Sequence, residues 1–139
     1  MKDRFKKIEE KYIDHPLFSK CIGARVPNGW VDLIDELVIW LDTYNVDNRT
    51  LIGFAQIKIK FDMLTIYVEH YIDDDYLKHD GVHLSNIRKK ISDICNRSRL
   101  TCKVCGKEKT ESVIDSMVKF VCLDHIHDET KWFTVRKNP

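Results

Sequence analysis

Apolar positions along the chain switch between two periods, and the switches mark the elements. Phe5, Ile8, Tyr12 and Ile13 recur at helical spacing and stop at His15-Pro16. Proline disfavours α geometry in the residue before it, so the pattern predicts a first helix over residues 3–14. A turn-rich stretch from Gly23 to Gly29 follows, ending in Pro27-Asn28-Gly29. Over residues 30–44, Trp30, Leu33, Ile34, Leu37, Val38, Leu41 and Tyr44 form one apolar stripe. Asp32, Asp35, Glu36 and Asp42 lie opposite. This is an amphipathic helix whose acidic residues suit its positive N-terminal end.

At residue 54 the period falls to two. Ile57, Ile59 and Phe61 alternate with Lys58, Lys60 and Asp62; Leu64, Ile66 and Val68 then alternate with Thr65, Tyr67 and Glu69. Such alternation predicts strands with one buried face, joined as a hairpin near Asp62-Met63, with one long bent strand as the alternative. Asp73-Asp74-Asp75 and Asp80-Gly81 mark a solvated acidic loop, since they lack the ligand spacing of a calcium loop. A further helix is expected from 84 to 97, with Ser85 as its N-cap and Leu84, Ile87, Ile91, Ile94 and Cys95 as its buried line. Short strands around 112–122, a turn through Asp124–Asp128 and a strand at Trp132–Val135 complete the pattern. The fold class is α+β: a small antiparallel sheet packed with amphipathic helices.

At 139 residues the chain fits one domain, divided into a helix–strand core over 1–98 and a distinct segment over 99–139. No apolar run nears the ~20 residues of a membrane span. The start, Met1-Lys2-Asp3-Arg4-Phe5, lacks the apolar core of a signal peptide. An intracellular protein is expected, with no membrane partner. In that compartment thiols serve cores or metals rather than disulfides. Cys21 and Cys95 stand in apolar surroundings and read as core.

Cys102, Cys105 and Cys122 read differently. Cys102-Lys103-Val104-Cys105-Gly106 is a C-x-x-C-G turn, and after sixteen residues Cys122-Leu123-Asp124-His125 supplies C-x-x-H. Two intervening residues let a tight turn present both side chains to one ion, and the glycine permits the positive φ such a turn uses. Three thiolates and an imidazole select tetrahedral zinc. A site with four protein ligands has no position left for water, so the zinc of Cys102, Cys105, Cys122 and His125 is structural. The spacing resembles a zinc ribbon or treble-clef knuckle. His127 is the alternative fourth ligand.

Asp124-His125-Ile126-His127 after this knuckle also resembles part of the HNH nuclease pattern, in which an Asp-His pair supplies a metal ligand and a general base. That family closes its zinc with a second cysteine pair, which this sequence lacks, and Cys122 is already placed to complete the zinc set. No phosphate loop and no serine nucleophile motif is present. The expectation is a protein that is not an enzyme.

The net charge of +1 excludes a uniformly basic coat, but the charge is polarised. Residues 86–109 hold eight basic and two acidic residues, whereas residues 30–50 hold five acidic and one basic. Arg88, Lys89, Lys90, Arg97, Arg99 and Lys103 therefore form a candidate nucleic-acid surface. Aromatic side chains that stack on bases are missing from that stretch. A protein-binding module is the leading reading and nucleic-acid binding the alternative; the Gly29-Trp30 corner is a candidate anchor, although a core tryptophan is the favoured reading of Trp30.

Three blocks also occur in a known order: Pro27-Asn28-Gly29-Trp30 before a Leu-rich helix; Ile57-Lys58-Ile59-Lys60-Phe61 running into Leu64-Thr65-Ile66-Tyr67; and Ser98 with Thr101-Cys102-Lys103-Val104-Cys105-Gly106 and Cys122-Leu123-Asp124-His125. Over residues 27–126 this resembles a family of small uncharacterised proteins of bacteriophage and prophage genomes, patterned GW..L, IKxKFGxLRFY, S..TCxxCG and Cx.H. Asp62 and Thr65 depart from that pattern's glycine and arginine. The resemblance implies a setting and no activity: a viral accessory protein in the cytoplasm of a bacterial host. The expectation is that it binds a host or viral protein, such as a defence or regulatory factor.

Overall fold

The computed structural model describes residues 10–12, 15–22, 25–60, 63–71, 80–106, 110–114, 117–121 and 132–134; for 80–81 and for the strands past 106 it describes the backbone alone. The described elements are β1 (Arg25–Pro27), α1 (Val31–Asn48), β2 (Ile52–Lys60), β3 (Met63–His70), α2 (Asp80–Ser98), β4 (Thr110–Ile114), β5 (Met117–Val121) and β6 (Trp132–Thr134). Each described sheet is a two-stranded antiparallel pair: β1 with β6, β2 with β3, and β4 with β5. The fold is a small α+β arrangement.

Of the first predicted helix, residues 10–12 are helical and the rest lies outside the described residues. The chain then turns through a 3-10 segment, Pro16–Phe18, whose first amide with a free N–H, that of Leu17, donates to His15 Nδ1 at 3.2 Å. Tyr12 is fully buried, and its hydroxyl donates to Asp35 of α1. Burial, and then that bond to a carboxylate, hold the Tyr12 phenol well above its ordinary value. The stretch Gly23–Gly29, expected as turns, contains β1, because Arg25, Val26 and Pro27 find partners in Thr134, Phe133 and Trp132. Those partners lie more than a hundred residues away, so no local pattern marks them.

A second 3-10 turn, Asn28–Trp30, leads into α1. The stripe foreseen for that helix is buried: Leu33, Ile34, Leu37, Val38 and Leu41 all face the core. The helix runs one turn beyond Tyr44, to Asn48, and stops where Arg49 takes a left-handed conformation (φ 52°). Asn45 makes that extra turn worthwhile. Its Nδ2 donates to the Ile52 carbonyl at 2.9 Å, and its Oδ1 accepts the Thr50 hydroxyl at 2.8 Å and the Ile52 amide at 3.1 Å, which ties the helix end to the start of β2.

The hairpin is present, with Lys60 opposite Met63, Ile59 opposite Leu64 and Ile57 opposite Ile66. The register slips between Phe54 and Gln56, so Ala55 has no partner in β3 and its carbonyl instead accepts the Ile22 amide at 3.0 Å. One extra residue reverses which parity faces inward. Ile52 and Phe54 are buried before the bulge, and Ile57 after it. Phe54 stacks on Phe18 with centroids 4.7 Å apart.

The helix after the hairpin begins at Asp80, not at 84, so Ser85 lies within α2 as an exposed residue and does not cap it. The expected buried line is confirmed at Ile87, Ile91, Ile94 and Cys95. Burial pushes the Cys95 thiol up to about 11, so it packs as an apolar group. Ser98 is also fully buried; its Oγ accepts the Leu64 amide at 2.9 Å and fastens the end of α2 to β3. No helix among the described residues is long and apolar enough to cross a membrane. The aspartate loop 73–75 lies outside the described residues.

Candidate functional site

Past Ser98 the chain leaves α2 by tight turns: Leu100 N–H donates to Arg97 O at 3.0 Å and Thr101 N–H to Ser98 O at 3.2 Å. It then enters the cysteine turn. Cys102 is fully buried, and its Sγ accepts the Val104 amide at 3.4 Å. Gly106 N–H donates to Cys102 O at 3.0 Å, and Gly106 takes the positive φ (79°) anticipated for it. An N–H aimed at sulfur supports the negative charge of a metal-bound thiolate. The turn therefore fits one half of a tetrahedral zinc site, with Cys105 half-buried beside it. Cys122, His125 and the alternative His127 lie outside the described residues, as does Asp124 of the nuclease reading. Among the described residues no group of three or more Cys, His, Asp or Glu converges as a metal site.

The turn rests on the corner that precedes α1. Trp30 is fully buried, which corrects its reading as an exposed partner-binding anchor: the indole fills the core, and its Nε1–H donates to the Thr101 carbonyl at 2.9 Å. A buried indole N–H needs an acceptor, and this one takes the carbonyl just ahead of Cys102.

The basic stretch is distributed in a way that weakens it as a nucleic-acid surface. Arg97 forks onto Glu36 of α1, with Nη1 at 2.5 Å from Oε2 and Nη2 at 3.0 Å from Oε1, and Lys90 Nζ lies 3.1 Å from the same carboxylate. Asp93 adds a bond to Arg97 at 3.2 Å. Two of the six candidate residues are thus spent joining α2 to α1. Arg88, Lys89 and Arg99 are exposed and make no ion pair with described residues; Lys103 is half-buried at the cysteine turn. The acidic and basic segments that looked like two separate faces partly neutralise each other.

The Arg97 hydrogen bonds, opposed by partial burial and assisted by Lys90, hold the Glu36 carboxyl at about 2, below its ordinary 4.5. The folded chain therefore binds fewer protons at this site than the unfolded chain between those values. The stabilisation is complete above about 4.5 and disappears as the pH falls towards 2. Because the carboxylate is 40% exposed, solvent screening limits the effect to under ~1 kcal/mol. Denaturant unfolding of Glu36→Gln between pH 2 and 6 is expected to show a shallower acid loss than the parent; an identical slope would contradict this clamp.

An open groove of about 410 Å³ runs beside that clamp, along α1. Its floor is Trp40 and Tyr44, stacked at 5.1 Å with ring planes 25° apart, and Ile39, Asp47 and Lys90 edge it. The Tyr44 hydroxyl lies 2.7 Å from His83 Nδ1 and accepts Asn86 Nδ2 at 3.3 Å, so α2 fixes the ring from behind. Ile39 is 55% exposed. The sequence reading missed this feature by following the buried stripe. The available signal was an aromatic pair at i and i+4, Trp40 and Tyr44, with Trp40 and Ile39 outside the stripe. No family model, curated protein or solved structure matches the chain, and a function must rest on this geometry.

Proposed function

We propose that the chain is a non-enzymatic, zinc-stabilised accessory protein of the phage type, whose task is to bind a host or viral protein through the Trp40–Tyr44 groove. The observation that carries this reading is an apolar aromatic pair held at the surface by α2. Both rings are half-buried against the core, and partly exposed Trp and Tyr in a concave setting are residue types that dominate protein–protein binding energy. The charge around it suits a basic partner. Of the five acidic residues of α1, Asp35, Glu36 and Asp42 already face Lys11, Lys90 with Arg97, and His15, whereas Asp47 at the groove edge makes no ion pair with described residues. The occupant is accordingly a partner segment that sets an apolar side chain on the aromatic floor and a lysine or arginine against Asp47. A centre closed by Cys102, Cys105, Cys122 and His125 leaves no open position for a reacting water, so the zinc in this reading is structural and takes no part in catalysis. For a viral accessory protein in a bacterial host, a defence or regulatory factor is the partner class we propose.

Co-purification of the full chain from infected bacteria tests it. A stoichiometric protein partner is expected, and Trp40→Ala should weaken binding of that purified partner about 30-fold or more, as loss of an interface anchor does. Asp47→Lys should weaken it as well. If both variants bind as the parent does, the groove reading fails. Recovery of nucleic acid instead, with retention that falls steeply with salt and vanishes on charge reversal at Arg88 and Lys89, would replace it with the nucleic-acid reading.

A further inference from the structure

The Gly29-Trp30 corner grips the cysteine turn on both sides of Cys102. Trp30 Nε1–H holds the carbonyl of Thr101, the residue before it, at 2.9 Å; Gly29 N–H holds the carbonyl of Lys103, the residue after it, at 2.8 Å. The two backbones also touch directly. A Cβ on Gly29 would sit 2.0 Å from the Cys102 carbonyl oxygen, and one on Gly106 would sit 2.8 Å from the Gly29 carbonyl oxygen. Neither glycine can be enlarged without moving the other strand of chain. Two hydrogen bonds and two such contacts fix the carbonyls flanking Cys102, and hence the direction in which its thiolate and that of Cys105 leave the turn.

We propose that Gly29 and Trp30 are positioning residues for the metal turn, so that metal occupancy and the packing of the Trp30 indole form one linked equilibrium. This inference rests on Cys102 and Cys105 being metal ligands. Linkage makes the coupling reciprocal: whatever factor the packed corner adds to zinc affinity, bound zinc adds to the packing of the corner. The corner also sits between two contacts with the latter part of the chain, the cysteine turn on one side and the β1–β6 pair on the other, so a loosened turn has a direct path to the core.

The test uses the full chain, titrated with zinc or cobalt after chelation. Cobalt absorption reports thiolate ligation, a chromophoric chelator in competition gives zinc affinity, and the Trp30 indole N–H resonance, assigned by its loss in Trp30→Phe, reports the corner. Zinc removal should shift the Trp30 resonance and speed its exchange with solvent. Trp30→Phe removes the donor but keeps an aromatic ring; it should lower zinc affinity roughly 5- to 10-fold, the worth of one net hydrogen bond, while leaving one metal per chain and the cobalt–thiolate band. Phe54→Leu, which disturbs the same core away from the corner, should leave zinc affinity unchanged. A Trp30 resonance indifferent to zinc, or equal affinity losses in Trp30→Phe and Phe54→Leu, would overturn the coupling and leave the metal reading intact. Absence of both stoichiometric zinc and the cobalt–thiolate band would overturn the metal reading, and the coupling with it.

Discussion

Trp30→Ala is expected to lower the unfolding free energy by about 3–5 kcal/mol, the range for truncating a large aromatic in a packed core. For a chain of this size that corresponds to a fall in Tm of roughly 10–20 °C. The size of the effect has two sources. The indole is fully buried and among the largest side chains of the core, so its removal leaves a cavity that a close-packed interior collapses only partly to fill. The Thr101 carbonyl also loses its donor, and an acceptor left without a partner adds to the loss. Thermal and urea unfolding followed by far-UV circular dichroism measure it. A change below about 1 kcal/mol would show that the corner is not part of the core and would restore Trp30 as a surface anchor.

The second large effect concerns the cysteine turn. Cys102→Ser should yield protein without stoichiometric zinc, and chelation of the parent should reproduce its behaviour. Apparent zinc binding energies in small modules are roughly 10–16 kcal/mol, comparable with or larger than the whole stability of a domain. Residues 99–139 are richer in lysine and hold proportionately fewer large apolar side chains than residues 1–98, so that segment has less with which to hold itself. Limited proteolysis is therefore expected to cut after residue 99 first. Helices α1 and α2 and the β2–β3 hairpin, which carry most of the buried apolar residues, should remain protected. Metal analysis showing no transition metal in the parent, or cleavage patterns and circular dichroism unchanged by chelation, would exclude a zinc-stabilised segment.

Much of the secondary structure was legible because it is local. The stripe of α1 and the alternation of β2 and β3 are periodic signals that burial confirms. Even the bulge at Ala55 is visible afterwards, as a change from buried even positions (Ile52, Phe54) to a buried odd one (Ile57). The start of α2 was missed because its first turn, Asp80-Gly81-Val82-His83, shows no apolar stripe; the exposure of Val82 (62%) explains why. What escaped the sequence reading is long-range. Lys90 and Arg97 read as part of a phosphate-binding stretch until Glu36, more than fifty residues earlier, is seen between them. Trp30 was open to two readings because its acceptor, Thr101, lies seventy-one residues on. The C-x-x-C-G half of the candidate site was legible since spacing and glycine placement are local requirements of the turn. The demand for glycine at position 29 was not, because it comes from the Cys102 carbonyl packed against it.

The pairing of Arg25–Pro27 with Trp132–Thr134 bears on how the protein is born. On the ribosome, α1, the hairpin and α2 emerge with most of the material for a core, while β1 has no mate until about a hundred more residues have been translated. At ~5–20 residues per second that delay is roughly 5–20 s. Throughout it the nascent chain carries an unmated edge. Arg25 at the exposed end of that edge and Pro27, which has no amide hydrogen to offer a foreign strand, are residue types that discourage the wrong neighbour from taking the place first.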